Sequence, residues 1–315
     1  MRVLSIDGGG IRGIIPGMLL VELERRSGKR IHELFDLVAG TSTGGILALG
    51  LVCPKPAAAD ADPYSAGEMV DLYVEHGGRI FERTFWRKLP GADLFEEKYS
   101  AATLEQLLTD YFGAGRLSEV VTDVLLSAYE IERRDAFFFK SRKARVDPSY
   151  DFPLVDVARA TSAAPTYFEP HKIQQGGDYY SLVDGGVFAN NPTMCAIAES
   201  FMLHEGPERP DLVVASLGTG ELTRRIPHDE ATGFGLANWV RPIISVMMDG
   251  MSDSVCYQGD HILGDRHMRF QTRLDEGSDD MDNASRTNIR VLRLLAERMI
   301  EDNDARIDRL LELVA

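Results

Sequence analysis

The sequence predicts a three-layer α/β/α fold on a mainly parallel central sheet, and two stretches near the N-terminus predict it. Val3–Ile6 is a short apolar run broken by Asp7-Gly8-Gly9-Gly10-Ile11-Arg12-Gly13, and an amphipathic run follows from Ile14 to Arg26. Leu37–Ala39 is a second short run, broken by Gly40-Thr41-Ser42-Thr43-Gly44-Gly45, and Ile46–Val52 continues from it almost wholly apolar. A strand, a glycine turn and a helix, twice in succession, is the pattern of parallel strands covered by helices on both faces.

The elements follow in order. Pro16 stands in the first turn of the Ile14–Arg26 helix, where its missing N–H costs little, and Gly28 stops it. Ile31–Phe35 is a short helical link. The Pro54–Pro63 stretch is a loop, and Ser65 caps a helix from Ala66 to about Glu75, ahead of Gly77-Gly78. Phe81–Tyr99 has no clean period and is rich in aromatics, as a segment packed on the core or a lid over a site would be. Thr103–Phe112 is a helix, and Val120–Ile131 and Ala136–Phe139 are strands. Val155–Ala164 is helical, and Ser181–Val183 is a strand entering Asp184-Gly185-Gly186. Asn190-Asn191-Pro192 caps a helix from Thr193 to about His204. Leu212–Leu217 is a buried strand, Trp239–Ser254 helical, His267–Leu274 a strand, and Asn288–Val314 largely helix. With no repeat and no break in composition, residues 1–315 are expected to form one domain, although residues 221–315 carry no assignable motif.

Composition excludes several classes. A net charge of −15 argues against a nucleic-acid binder and leaves no broad basic face for anionic membranes. Cys53, Cys195 and Cys256 lie far apart, indicating neither a disulfide framework nor a zinc site, as suits a reducing cytoplasm. No secretory signal is visible, and the longest apolar run is far short of the ~20 residues of a membrane span. Lys140, Arg142, Lys143 and Arg145 form the densest basic cluster, expected as a solvated loop, with a phosphate or regulatory-ligand contact as the alternative. The acidic run Asp275–Asp282 lacks calcium-loop spacing and is expected as a solvated loop. No metal and no cofactor are expected.

Gly40-Thr41-Ser42-Thr43-Gly44 fits the G-x-S-x-G elbow, a sharp strand-to-helix turn that presents a serine nucleophile. Gly40 and Gly44 are its supporting residues. The N–H groups of Gly8, Gly9 and Gly10 make an anion cradle suited to an oxyanion, where one donor is typically worth ~10²–10³ in turnover. Arg12 either holds that turn or meets a phosphate, or forms a salt bridge at a helix start. Gly8-x-Gly10-x-x-Gly13 also matches a dinucleotide fingerprint, but Asp36 opens the next strand rather than closing it, and Asp7 would face the pyrophosphate. None of His204, His228, His261 and His267 sits in a strand-end glycine turn. Asp184 does, followed by Gly185 and Gly186, so it is either the general base or a turn-forming aspartate.

Asp7-Gly-Gly-Gly-Ile-Arg-Gly13, Gly40-Thr-Ser-Thr-Gly44 and Asp184-Gly-Gly186 together resemble the patatin-like phospholipase family. So do Ala160-Thr-Ser-Ala-Ala-Pro-Thr-Tyr-Phe168, Asn190-Asn-Pro192 and Ser216-Leu-Gly-Thr-Gly220, all within residues 3 to about 220. The resemblance implies a catalytic Ser42–Asp184 dyad, a glycine-rich oxyanion loop, and phospholipase A or lysophospholipase activity on membrane lipid from the cytoplasm. Three alternatives stand beside it. One is a phospholipase effector of an anti-phage system, switched on by a cyclic dinucleotide. Another is an acyltransferase, although Thr41 and Thr43 stand where that class places a histidine beside its serine. The last is a nucleotide-binding protein.

Overall fold

The computed structural model describes residues 1–56, 61–81, 99–204, 210–223 and 225–315. Its centre is an eight-stranded sheet: β1 (Arg2–Ile6), β2 (Leu37–Thr41), β3 (Asp123–Glu130), β4 (Asp135–Lys140), β5 (His171–Gln175), β6 (Asp178–Asp184), β7 (Val213–Leu217) and β8 (His267–Phe270). β8, β7, β1, β2 and β3 are parallel neighbours, while β4, β6 and β5 join antiparallel beyond β3. The mostly parallel expectation holds.

Alternation along the central strands sorts side chains to two faces, as a pleat of period two requires. Leu4, Ile6, Val38 and Leu126 enter the larger core. Val3, Leu37, Ala39, Leu125 and Val214 face the other way. The larger core is covered by α1 (Ile14–Ser27), the short link α2 (Ile31–Leu34), α3 (Thr43–Val52), α4 (Ala66–Ile80), α5 (Ala101–Phe112), α6 (Ser141–Val146) and α7 (Leu154–Thr161). On the opposite face lie α8 (Gly186–Ala189), α9 (Thr193–Leu203) and the 28-residue α11 (Leu236–Leu263), which follows the single turn α10 (His228–Ala231). Finally α12 (Arg286–Asp302) and α13 (Asp304–Val314) return to pack against α1. Residues 221–315 therefore add an edge strand to the same sheet and further helices to the layers on both its faces.

The differences from expectation have local causes. β5 went unforeseen because of His171-Lys-Ile-Gln-Gln175 only Ile173 is buried, an edge strand without an apolar signal. α4 runs through Gly77-Gly78 because Gly77 packs on Ile11, where a Cβ would lie 2.5 Å from its Cδ1. α11 extends well past Ser254 at its C-terminal end. Most of the expected lid, residues 82–98, lies outside the described residues. Among the described residues no helix is long and apolar enough to cross a membrane.

Candidate active site

The sheet register itself brings Ser42 and Asp184 together. β3 is paired along one edge by β4, through Leu125–Glu130. Along its other edge it is paired first by β2, ending at Thr41 opposite Ser127, and then by β6, ending at Asp184 opposite Ala128. β2 runs parallel to β3 and β6 antiparallel, so their C-terminal ends meet head-on. Ser42 is the next residue after β2, and Asp184 is the last of β6.

Ser42 has φ 56° and ψ −122°, a conformation that costs a non-glycine residue ~1–3 kcal/mol. Its backbone bonds hold it there. The Ser42 N–H donates to Thr161 Oγ1 at 3.0 Å, and its carbonyl accepts from the N–H groups of Gly45 (2.9 Å) and Ile46 (3.1 Å). The start of α3 lies so close to β1 that a Cβ on Gly44 would strike the carbonyl oxygens of Ile6 and Asp7. Gly40 packs equally closely on the Gly44–Gly45 peptide. Ser42 therefore stands at the N-terminus of a buried helix, whose partial positive charge favours developing anion.

Asp184 is buried, has the Ser42 side chain close enough to favour its charged form, and accepts a hydrogen bond from the Gly186 N–H at 2.7 Å. Burial pushes its carboxyl from 3.8 to about 6, against the pull of those two groups. A carboxylate near 6 is a stronger base than an exposed aspartate and is still ionised at neutral pH. Gly185 is wedged against Ser127, which fixes the turn from β6 into α8.

The turn after β1 completes the cleft. A Cβ on Gly8 would lie 3.2 Å from Ser42 Cβ and 2.5 Å from Asn190 Oδ1, so the loop passes directly beside the serine. The Gly8 N–H donates to the Asn190 carbonyl at 3.0 Å, so one of the three expected oxyanion donors is already engaged. No partner is recorded among the described residues for the N–H groups of Gly9 and Gly10. Thr219 Oγ1 donates to the Gly8 carbonyl at 2.7 Å and fills the space over Gly9. Gly10 takes φ 58° with the Met281 carbonyl against it, and Met281 O also accepts the Ile11 N–H at 2.8 Å. Arg12 is buried and donates from Nε to the Gly9 carbonyl at 3.3 Å, which holds the turn. Its Nη1 has no partner among the described residues.

A profile of patatin-like phospholipases matches residues 4–197. This chain belongs to the patatin-like phospholipase family. Patatin-like protein 1 from Arabidopsis thaliana is 31% identical over 95% of this chain and 81% of its own length. A potato (Solanum tuberosum) relative named "Probable inactive patatin-3-Kuras 1" is 30% identical, covering 96% of this chain and 88% of that protein. The crystal structure of VipD from Legionella pneumophila superposes with a TM-score of 0.46 at 13% identity, over 99% of this chain and 67% of that one. Patatin-like proteins as a class are lipid acyl hydrolases.

Other expectations now have places in this patatin-like chain. Asp7 and Asp36, the residues that spoke against a nucleotide site, are both held by arginines. Arg269 of β8 grips buried Asp7 at 2.6 and 3.0 Å, and Arg2 pairs with Asp36 at 2.6 Å. The basic cluster lies on α6 and the end of β4 rather than in a solvated loop, and its cations are engaged. Lys140 and Arg142 pair with nearly buried Glu199, Arg145 with Asp123, and Lys143 lies over the Tyr150 ring. The acidic run is a loop as expected, with Asp275, Glu276 and Asp280 exposed, but its end is held: Met281 seals the glycine turn and Asp282 accepts from Tyr99 Oη at 2.5 Å. His267 sits at the far end of β8 from the cleft and pairs with Asp260, while His261 bonds the Tyr257 carbonyl. Sequence reasoning missed Thr161, Arg269 and Met281. The first lay within a quoted family stretch, and the others act only through long-range contact.

Proposed function

We propose that this protein is a serine-dependent phospholipase A or lysophospholipase in which Asp184 activates Ser42 directly. The observation that carries the proposal is the meeting of β2 and β6 on one edge of β3, which sets a strained serine against a buried carboxylate. Family membership alone would not decide activity, since one relative bears the name of an inactive patatin. In this chain Ser42 and Asp184 are both present, at strand ends that face each other across the edge of β3.

Asp184 takes the Ser42 proton as Oγ attacks the acyl carbonyl carbon. The tetrahedral oxyanion is held by the Gly9 and Gly10 N–H groups and the N-terminus of α3. Its collapse expels the alcohol portion of the lipid, which takes the proton from Asp184. Water then attacks the acyl-enzyme as Asp184 takes its proton, and when the Oγ–acyl bond breaks that proton passes to Ser42 Oγ and the fatty acid leaves. Nη1 of Arg12, which has no partner among the described residues, is a buried donor suited to a phosphodiester oxygen of the substrate.

The test is release of fatty acid from phosphatidylcholine and lysophosphatidylcholine in micelles. Ser42→Ala and Asp184→Asn, each shown to be folded, are expected to lose about 10³-fold or more and about 10²–10⁴-fold respectively. Near wild-type turnover by either would overturn the dyad.

A further inference from the structure

β2 and β6 meet end to end on β3, and among the described residues no ladder joins them, so strand pairing does not itself fix how far Ser42 stands from Asp184. The turn that ends α7 spans the junction. Thr161, the last residue of that helix, accepts the Ser42 N–H on Oγ1 at 3.0 Å and donates from the same oxygen to the Ser127 carbonyl of β3 at 2.7 Å. Two residues on, the Ala163 carbonyl accepts the Asp184 N–H at 2.9 Å. One turn therefore holds the backbone of both Ser42 and Asp184, and of the strand that both lie against.

The turn is itself tied down. The Ser162 and Ala163 N–H groups donate to the Ala158 and Ala160 carbonyls at 3.3 and 3.2 Å, and the Ser162 hydroxyl donates to the Ala158 carbonyl at 2.7 Å. Thr161 and Ala163 are fully buried. A Cβ on Gly45 would lie 2.8 Å from Thr161 Cγ2, so the start of α3 packs on the same side chain.

We propose that Thr161 is a positioning residue for the reaction, and that the turn Thr161–Ala163 sets the separation of Ser42 from Asp184. The inference rests on the catalytic proposal above and adds to it the part that keeps the two groups in reach. A hydroxyl has one proton to give. Giving it to Ser127 leaves the lone pairs of Thr161 Oγ1 for the Ser42 N–H, so one orientation of the side chain makes both bonds. Ser42 needs such a hold, because its φ of 56° is a conformation that a non-glycine residue keeps only where its surroundings impose it. A misplacement of about 1 Å can cost ~10²-fold in rate. Thr161 acts through the Ser42 backbone rather than on the substrate.

Thr161→Val keeps the shape and the methyl group but can neither accept from Ser42 nor donate to Ser127, whereas Thr161→Ser keeps both bonds. Hydrolysis of p-nitrophenyl butyrate and labelling by a fluorophosphonate across pH are measured in each, with thermal unfolding as the check on folding. Thr161→Val is expected to lower kcat about 10–10²-fold with KM within about twofold of wild type. Its labelling inflection is expected above the wild-type position near pH 6, because a displaced Ser42 no longer favours the ionised form of Asp184. Thr161→Ser is expected to stay within about threefold of wild type in kcat, with the inflection unmoved. A merely structural role would lower the unfolding temperature of Thr161→Val and leave its kcat and inflection alone, and that result would overturn the inference. Equal losses in the valine and serine variants would overturn it too. If Thr161→Val does not fold, Thr161→Cys takes its place, since a thiol is a weaker donor and acceptor. Its kcat is then expected below that of Thr161→Ser with the inflection raised, and parity of the two sinks the inference. A wild type that neither hydrolyses the ester nor takes the label removes the catalytic proposal and this inference with it, whereas an active wild type matched by Thr161→Val removes this inference alone.

Discussion

The stretch up to about Thr219 and the stretch after it treat the cleft in opposite ways. The first supplies the groups proposed to do the chemistry: Ser42, Asp184 and the Gly9–Gly10 N–H groups. The second supplies only outer supports, which add to those of Thr161, Arg12 and Asn190 in the first: Arg269 on Asp7, the Met281 carbonyl on Ile11, and Cys256 beside Asn191. The reacting groups come in short glycine-bounded turns because local backbone geometry must present them. The supports are single residues, because any element that packs nearby can provide one. Substitutions in the two stretches should accordingly separate activity from stability.

The sharpest contrast is Ser42→Ala against Arg269→Met. Ser42→Ala is expected to abolish turnover, about 10³-fold or more, with little loss of stability by urea unfolding. Arg269→Met leaves the buried Asp7 carboxylate without its partner, and is expected to cost about 3–5 kcal/mol in the same measurement. If Asp7→Asn combined with Arg269→Met is no more stable than Arg269→Met alone, the loss does not come from the stranded charge.

Asp184→Asn separates the two properties within one residue. The folded-state pKa of Asp184, about 6, lies above its ordinary value of 3.8, so ionising it opposes folding. That penalty is absent below about pH 4, grows as pH rises toward 6, and is complete at neutral pH. At 1.4 kcal/mol per unit, Asp184→Asn is expected to stabilise the protein by about 2–3 kcal/mol at pH 7 while disabling it. The gain should vanish near pH 4 in urea titrations at the two pH values. A loss of stability at pH 7 would show that the carboxylate is not held at a cost.

A smaller effect probes the elbow. Glycine relieves the positive φ of Ser42 and alanine does not, so Ser42→Gly should exceed Ser42→Ala in stability by about 1 kcal/mol in thermal unfolding. Equal stabilities would remove strain from the account of the turn.

The same contrast explains how much could be read from sequence. Ser42, Asp184 and the Gly8–Gly10 turn were legible because each breaks an apolar strand with glycine, and local pattern is what sequence displays. The central parallel strands were legible for the same reason. That the Gly8 N–H is spent on Asn190 was not, since it depends on where the turn after α8 comes to lie. Arg269 was hidden because one arginine on an edge strand has no pattern, and its meaning comes from β8 pairing with β7. The basic cluster misled by charge density, because its partner Glu199 stands more than fifty residues away on α9.

The central claim is that a buried carboxylate, with no histidine between, removes the proton from Ser42. Its most direct test is the rate at which a fluorophosphonate labels Ser42 as a function of pH. The rate is expected to rise through a single inflection near pH 6 and to collapse about 10²-fold or more in Asp184→Asn. Wild-type labelling by Asp184→Asn, or an inflection that disappears when His204, His228, His261 or His267 is replaced, would contradict it.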